Sequence, residues 1–228
     1  MEDVVEYQKL LPYQFEKRIT ACPLVYVPVG SLEWHGEHNA LGLDAIKMHL
    51  HCVEAARLSG GIVFPTTYYG IPGMMPYGTS YTHPANLPMT AEFLKHVLTT
   101  TLSGLENVGF KAAILITGHT CEGQMALMRE IATEYQGPMK VFGTNDGIIK
   151  NTSDHAAQWE TSILWYARPE LSDMSRLPKD TSIKLEGVGG EDPRLHATRE
   201  LGKAAVEAIA ADLATKGKEL LAEQENAG

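Results

Sequence analysis

Acidic and imidazole side chains gather in three short segments of the sequence. These segments are SLEWHGEH at residues 31–38, TGHTCE at residues 117–122 and DHAAQWETS at residues 154–162. Carboxylate oxygens and neutral imidazole nitrogens are common ligands of Zn²⁺, Mn²⁺ and Fe²⁺ in proteins. If the fold brings these segments together, they could support metal-assisted hydrolysis at neutral pH.

In the first segment, Glu33 and His35 are separated by one residue. Such residues point to the same side of an extended backbone, so both side chains can reach neighbouring ions. Asp44 follows at the start of a predicted helix, where a carboxylate could bridge two ions about 3.5 to 4 Å apart. The alternative interpretation is a solvated loop of acids and histidines, which would include Glu37 and His38.

The third segment contains His155 and Glu160, which lie five residues apart. A regular helix would place them on different faces, but both could point into one site at a junction between a loop and a helix. Asp154 is suited to be the N-cap of that helix, which is its purely structural interpretation. Glu160 could be an exposed acid on the helix, although its apolar neighbours Trp159 and Leu164 make that less suitable.

Short apolar strands and longer helical segments must position these residues. Strands are predicted at residues 24–29, 62–64, 112–116 and 139–142, and helices at residues 44–58, 90–107, 122–135, 156–168 and 197–223. This alternation is typical of an α/β fold with a mostly parallel central sheet flanked by helices. Ligands of such sheets bind beyond the carboxyl ends of the strands, and the first two polar segments directly follow predicted strands.

Two stretches show neither helical nor strand periodicity. Residues 65–88 are rich in Gly, Pro, Tyr and Met and are interpreted as a long structured loop, and residues 172–192 form a second irregular stretch. Loops of this length inside a compact domain are often binding or gating elements. Neither stretch has the composition of a linker, so we expect one domain over residues 1–228.

The composition argues against several classes of function. A chain of 228 residues with 44% hydrophobic content can bury one substantial core. The net charge of -9 and the absence of a Lys/Arg-rich run argue against nucleic acids and anionic membranes as partners. The three cysteines form no CxxC pair, which indicates neither a disulfide framework nor a structural zinc site. Without a pattern for a signal sequence or a membrane span, a soluble cytoplasmic protein is expected.

Several motifs together resemble those of the creatininase (creatinine amidohydrolase) family. VGSLEWHGEHNALGLD at residues 29–44 resembles the family pattern GSxExHGxHLPLGxD, and YGTSYTH at residues 77–83 resembles YGxSxEH. TGH at residues 117–119 resembles the start of NGHGGN, HAAQWETS at residues 155–162 resembles HAGxxETS, and GVGGEDPR at residues 187–194 resembles the start of GVxGDPxxAT. The resemblance covers nearly the whole chain.

The resemblance implies a three-layer α/β sandwich, assembly as a homohexamer and two divalent metal ions per subunit, with zinc favoured over manganese or iron. The implied metal ligands are the residues at the matching positions: Glu33, His35, Asp44, His119 and Glu160. Glu122 is a competing candidate for the fifth ligand. In creatinine hydrolase itself an acid two residues beyond the ligand histidine helps to hold a metal, and this chain has Cys121 there with Glu122 one place later.

The expected mechanism uses a hydroxide held between the two ions, which attacks the carbonyl carbon of a small cyclic amide or formamide. Metal binding makes this possible because it lowers the pKa of water to about 7. The expected catalytic residues are His155, Asp154 and Glu160. His155 would donate a proton to the departing atom, and Asp154 would fix its tautomer if it lies within hydrogen-bond reach. Cleavage of a carbon–carbon bond in a cyclic diketone, such as an oxidised inositol, is the first alternative.

Departures from the family motifs leave two further interpretations open. Thr117 stands where the family has asparagine, and Trp34 stands where glutamine is usual. The changes at Thr117 and Cys121 are compatible with a catalytically silent protein that binds metal and assembles. A second possibility is that Cys121 acts as a nucleophile with His119 as its base.

Overall fold

Four parallel strands form the central sheet in the part of the chain that the structure describes. The computed structural model describes residues 4–72, 82–148 and 152–225. The strands are β1 (Leu24–Val29), β2 (Ile62–Val63), β3 (Ala112–Thr117) and β4 (Lys140–Asn145), in the spatial order β2-β1-β3-β4. Because all pairs are parallel, the carboxyl ends of the strands lie at the same edge of the sheet.

Helices connect the strands and cover the sheet. In the described ranges the α-helices are α1 (Pro12–Ala21), α2 (Leu43–Ser59), α3 (Ala91–Val108), α4 (Glu122–Glu134), α5 (Gln158–Ala167), α6 (Pro193–His196) and α7 (Arg199–Glu225). Short 3-10 helices occupy Tyr7–Lys9, Asp146–Ile148, Pro169–Leu171 and Met174–Arg176. Within the parts that the structure describes, no helix has both the length and the apolar character that crossing a bilayer requires.

Alternating side chains of the strands pack against two different layers of helices. Val25 and Leu115 contact the apolar faces of α3 and α4, whereas Tyr26 and Ile114 contact those of α2 and α7. All residues of β1 and β3 are buried, as expected for strands of a parallel sheet that is covered on both sides. The predicted three-layer α/β sandwich with a mostly parallel sheet is therefore confirmed.

The observed elements differ from the predicted ones in several places, of which α1, β4 and α5 are examples. Helix α1 is not predicted, because charged residues at 16–18 interrupt its apolar pattern, although Phe15 packs against the core. Strand β4 continues to Asn145, three residues beyond its predicted end. Helix α5 begins at Gln158, two residues late, because Ala156 has φ +52°, which is incompatible with a right-handed helix.

The predicted loop at residues 65–88 is described only in part. Residues 73–81 lie outside the described residues, and most of the YGTSYTH motif falls there. The remaining part forms isolated β-bridges, in which Val29 pairs with Thr67 and Gly70 pairs with Pro88. These bridges hold the ends of the loop beside the carboxyl end of β1.

Candidate metal centre

The three polar segments meet beyond the carboxyl ends of β1 and β3. Their side chains form three overlapping groups in which the possible ligand atoms lie within 4.8 Å of one another: Glu33 with His35 and His155, Glu33 with Asp44 and His119, and His35 with Asp44 and Glu160. Every member is buried. The structure thus brings together residues that the sequence separates by more than a hundred positions.

Two glycines allow the first turn of α2 to approach the strand ends closely. A Cβ atom on Gly30 would lie 2.3 Å from the backbone nitrogen of Ala45, and one on Gly118 would lie 2.5 Å from the carbonyl oxygen of Asp44. The first turn of α2 therefore carries the Asp44 carboxylate between the other acidic and imidazole groups. Ser31 then fixes this carboxylate, since its hydroxyl donates a hydrogen bond of 2.6 Å to Oδ2.

Backbone carbonyl groups orient the two histidines that face Asp44. His35 Nδ1 lies 2.9 Å from the carbonyl oxygen of Glu33, and His119 Nε2 lies 3.2 Å from that of Ile71. The nitrogen that donates to a carbonyl oxygen must be protonated, which leaves the other ring nitrogen available for a metal ion. These available nitrogens point inward: His35 Nε2 is 3.3 Å from Asp44 Oδ1, and His119 Nδ1 is 3.0 Å from Glu33 Oε2.

Thr117, which replaces the family asparagine, supports the loop that carries His119. Its hydroxyl accepts hydrogen bonds from the His119 backbone nitrogen, at 3.2 Å, and from Gln124 Nε2, at 2.9 Å. The Gln124 side chain also accepts a hydrogen bond from the backbone nitrogen of Ile71, whose carbonyl group faces the His119 ring. The substitution at Thr117 therefore retains a hydrogen-bonding group that positions a candidate ligand.

The charges of the cluster are strongly coupled. Burial lowers the pKa of His35, but the carboxylates of Asp44 and Glu160 outweigh burial and raise this pKa to about 9. Burial raises the pKa of Asp44, but His35 and His119 outweigh it and hold this pKa well below its usual range. Protons on the imidazoles thus balance the carboxylates, and a bound cation would replace those protons.

The donor atoms fit divalent cations. Glu33 Oε1 and His35 Nε2 are buried and have no hydrogen-bond partner among the described residues, although each lies within 4.0 Å of another polar side chain. Leaving a buried polar atom without a partner is costly, and atoms that converge in this way are suited to hold a cation. Carboxylates and imidazoles in this mixture suit Zn²⁺, Mn²⁺ or Fe²⁺.

Lys47 and Asp146 belong to the cluster, although neither is predicted from the sequence. Lys47 is fully buried on α2, one turn after Asp44, and its ammonium group contacts Glu160 Oε1. It also lies 2.8 Å from Asp146 Oδ2 and 3.7 Å from Asp44 Oδ1. Asp146 directly follows β4, so the rule that ligands bind beyond strand ends could have identified it.

The predicted catalytic residues His155 and Asp154 have different environments. The His155 ring lies over that of His35, with 4.6 Å between the ring centroids, and Nε2 is 3.2 Å from the carbonyl oxygen of Trp34. Burial and the neighbouring His35 lower the pKa of His155. The oxygens of Asp154 accept hydrogen bonds from the backbone nitrogens of Trp159, at 2.7 Å, and Glu160, at 3.1 Å. Asp154 therefore caps the start of α5.

The two candidates for the fifth ligand lie in different places. Glu160 is buried beside His35, with 3.6 Å between Oε2 and Nε2, and its Oε2 accepts a hydrogen bond of 2.7 Å from the backbone nitrogen of Ala156. Glu122 is exposed at the first residue of α4 and belongs to none of the three groups. The geometry thus favours Glu160.

A cavity of about 370 Å³ opens onto the cluster. Besides the acidic and imidazole groups, its wall includes the polar residues Thr120, Asn145 and Ser153 and the sulfur-containing residues Cys121 and Met125. The hydroxyl groups of Thr120 and Ser153 lie 3.3 Å apart. Among the described residues, no phenylalanine, tyrosine or tryptophan lines this cavity. It can therefore hold a small polar molecule beside the candidate metal ligands.

A family model and two characterised hydrolases match this chain in sequence. The family model for creatinine amidohydrolase matches residues 9–221. The 3-dehydro-scyllo-inosose hydrolase of Thermotoga maritima is 27% identical over 142 residues, which are 62% of this chain and 44% of that protein. The chain thus spans less than half the length of that relative. Creatinine amidohydrolase of Pseudomonas putida is 23% identical over 188 residues, which are 72% of each chain.

Solved structures share the fold. A putative creatinine amidohydrolase from Bacteroides fragilis superposes with a TM-score of 0.76 at 23% identity, covering 96% of this chain and 97% of that one. A creatininase variant of Zn-Zn type has a TM-score of 0.73, and an Mn creatininase has one of 0.75. Each is 21% identical and covers 95% of this chain and 98% of the other.

Proposed function

The chain belongs to the creatinine amidohydrolase (creatininase) family, and on this basis we propose that it is a metal-dependent hydrolase of a small cyclic amide or formamide. The observation that carries the proposal is the buried Asp44 carboxylate, which belongs to two of the three candidate ligand groups. We assign Glu33 and His119 to one cation and His35 and Glu160 to a second, with Asp44 shared between them. Zinc is the favoured metal, with manganese or iron as alternatives.

Bound at these residues, divalent ions would supply an activated water molecule at neutral pH and would polarise the carbonyl group of a substrate. The protein must then supply a proton to the leaving nitrogen atom. His155 would take this role, which is supported by its contacts with the candidate ligands His35 and Glu33 and by burial, which lowers its pKa, so that the neutral ring could accept a proton and pass it on.

Main-chain contacts hold His155 in place. Its backbone nitrogen and carbonyl oxygen form reciprocal hydrogen bonds of 2.9 and 2.7 Å with Gly189. The carbonyl group of Trp34 accepts from the ring, and this contact would fix its tautomer, which is the role predicted for Asp154. Asp154 would act indirectly, because it caps α5 and so positions both His155 and Glu160.

The structure gives little support to Cys121 as a nucleophile. Its proposed base, His119, interacts with the Cys121 side chain, but both ring nitrogens also face other groups: Nδ1 faces Glu33 and Asp44, and Nε2 faces the carbonyl group of Ile71. A base for Cys121 would need one of these nitrogens. Alkylation that stops turnover without releasing metal would revive the cysteine mechanism.

A direct test uses protein that has been reconstituted with Zn²⁺, Mn²⁺ or Fe²⁺ and assayed with a panel of cyclic amides and formamides. Turnover of at least one member is expected, with loss of turnover on chelation and recovery on adding metal back. The variant Glu219→Gln, at an exposed residue, is the control for losses caused by metal removal and reconstitution. Full metal occupancy without turnover of any substrate class would instead favour the catalytically silent protein.

A second candidate function is hydrolysis of a carbon–carbon bond in a hydroxylated cyclic diketone. The observation that favours it is the cavity wall, where Thr120, Asn145 and Ser153 could hydrogen-bond substrate hydroxyl groups. A relative is an inosose hydrolase by name. If this candidate is correct, Thr120→Val lowers kcat/KM for a diketone about 10-fold, because a site built to bind a hydroxyl group loses that contact, and changes amide turnover less than about 2-fold.

We further propose that residues 1–228 fold as one domain and that the protein is cytoplasmic and homohexameric. One domain is supported by coverage of 97% of a putative creatinine amidohydrolase chain, and the homohexamer by the resemblance of motifs along the chain. The three cysteines without a CxxC pair suit the reducing cytoplasm. Light scattering coupled to size-exclusion chromatography measures the oligomeric mass. A monomer at micromolar concentration would contradict the proposed assembly.

A further inference from the structure

The two halves of the proposed metal centre differ in one buried positive charge. The second half, formed by His35, Asp44 and Glu160, is contacted by Lys47, whose side chain is fully buried. In the described residues, the ion pairs of Glu33 in the first half involve only histidines. The ammonium group therefore lies closer to the second half of the site than to the first, although the two halves share Asp44.

Resting on the proposed metal centre, we propose that Lys47 is a buried positive charge that weakens the binding of the second metal ion more than that of the first. Asp146 acts in the opposite direction. Its carboxylate lies 2.8 Å from the Lys47 ammonium group and partly neutralises it. The pair would thus set how readily the second ion exchanges, so that one ion is retained at low metal concentration and two are bound only at higher concentration.

Lys47 has two opposing effects on the binding of the second ion, and the larger effect decides whether the affinity for that ion rises or falls. Lys47 holds Glu160 by one oxygen and leaves the other facing His35, which helps the second ion to bind. Outer contacts of this kind are typically worth about 10- to 100-fold in metal affinity. Repulsion between a single and a double positive charge roughly 6 Å apart, at an effective dielectric constant of about 20, corresponds to a factor on the order of 10⁴. Repulsion is the larger effect.

The test compares Zn²⁺ binding to the parent protein, Lys47→Met and Asp146→Asn by equilibrium dialysis with metal analysis. Lys47→Met removes the charge but keeps an unbranched side chain, and we expect the second dissociation constant to fall at least about 10-fold, with the first falling by a smaller factor because that ion lies further from the ammonium group. Asp146→Asn keeps Lys47 but removes its counter-charge, so the second dissociation constant should rise.

Thermal unfolding gives a readout that is independent of turnover. Without metal, Lys47→Met leaves buried acids unpaired, so its Tm should be lower than that of the parent. Saturating Zn²⁺ should raise the Tm of Lys47→Met by more than that of the parent, because tighter ligand binding stabilises the folded state further.

The possible results distinguish a wrong role for Lys47 from a wrong metal centre. General disruption of the site would weaken Zn²⁺ binding in both variants, whereas the inference requires shifts in opposite directions. Two Zn²⁺ ions with unchanged affinities in both variants, or weaker second-site binding in Lys47→Met, would overturn the role of Lys47 and leave the metal centre intact. Failure of the parent protein to bind Zn²⁺ at either position would refute the proposed function and this inference together.

Discussion

The two ends of the central sheet are surrounded by different types of side chain. At the amino end of β3, Phe110 packs with Phe15 and Tyr7 in an aromatic cluster, with ring centroids 6.0 and 6.5 Å from that of Phe110. At the carboxyl end, buried carboxylates, imidazoles and an ammonium group converge, and Glu33 Oε1 and His35 Nε2 lack partners among the described residues. The same strands thus connect an apolar cluster to a charged one.

This difference indicates that stability and function depend on opposite ends of the sheet. Burial of aromatic surface stabilises the fold without further conditions. Burial of charges has a desolvation cost that only pairing or a bound cation offsets. The amino end is therefore expected to determine the free energy of unfolding, and the carboxyl end to determine metal binding and turnover.

The largest effect should come from Asp44→Ala at the carboxyl end. Both candidate cation sites share this carboxylate, so its loss should remove bound metal and lower kcat/KM by at least about 10⁴-fold. Metal analysis and steady-state kinetics on the same preparation measure the two effects. Retention of two ions per chain by this variant would refute the shared position of Asp44.

His155→Ala should have a smaller effect, restricted to turnover. Loss of a general acid or base typically lowers kcat by about 10²- to 10⁴-fold, and His155 is not assigned to either cation. Metal content should remain that of the parent protein. Unchanged kcat, or loss of metal in parallel with activity, would remove His155 from the proposed proton transfer.

Phe110→Ala tests the opposite end of the sheet. Truncation of a buried phenylalanine is expected to lower the free energy of unfolding by about 3 to 5 kcal/mol, because it leaves a cavity among the surrounding rings. Denaturant titration measures this loss, and kcat per folded molecule should change little. A selective loss of kcat without a change in stability would contradict the separation of the two ends.

Thr117→Val should produce an intermediate effect, because Thr117 is the last residue of β3 and supports His119. Removing its hydroxyl group should weaken metal binding by about 10-fold, as is typical for partners of metal ligands. The stability loss should be only about 1 to 2 kcal/mol. Thr117→Ser, which keeps the hydroxyl group, should restore the affinity. Equal affinity in all three proteins would assign Thr117 a packing role alone.

The smallest effect is expected for Glu122→Gln, which distinguishes the two candidates for the fifth ligand. Because Glu122 is exposed and lies outside the candidate ligand groups, metal content should stay within about 2-fold of the parent value. Glu160→Gln should lose the second ion. The reverse pattern would make Glu122 the ligand and would contradict the assignment from the geometry.

Much of the fold could be predicted because its determinants are local. The apolar runs of β1 and β3 are long enough to identify buried strands, and glycines at the ends of α2 and α3 adopt the left-handed conformation expected of helix ends. Helix α1 was not predictable in this way, because its amphipathic pattern is short and none of its side chains is fully buried. Its place depends on contacts that Phe15 makes with distant residues.

The sequence alone determined which residue types were available for metal binding, because the ordered motifs around Glu33, His35 and Asp44 are continuous in the chain. Only the tertiary structure decided which of the remaining polar residues join them. It brings Lys47 to Glu160, which lies 113 residues further along the chain, and leaves Glu122 exposed. The physical reason is that the packing of helices against the sheet, rather than any local pattern, fixes the distances between side chains on separate elements.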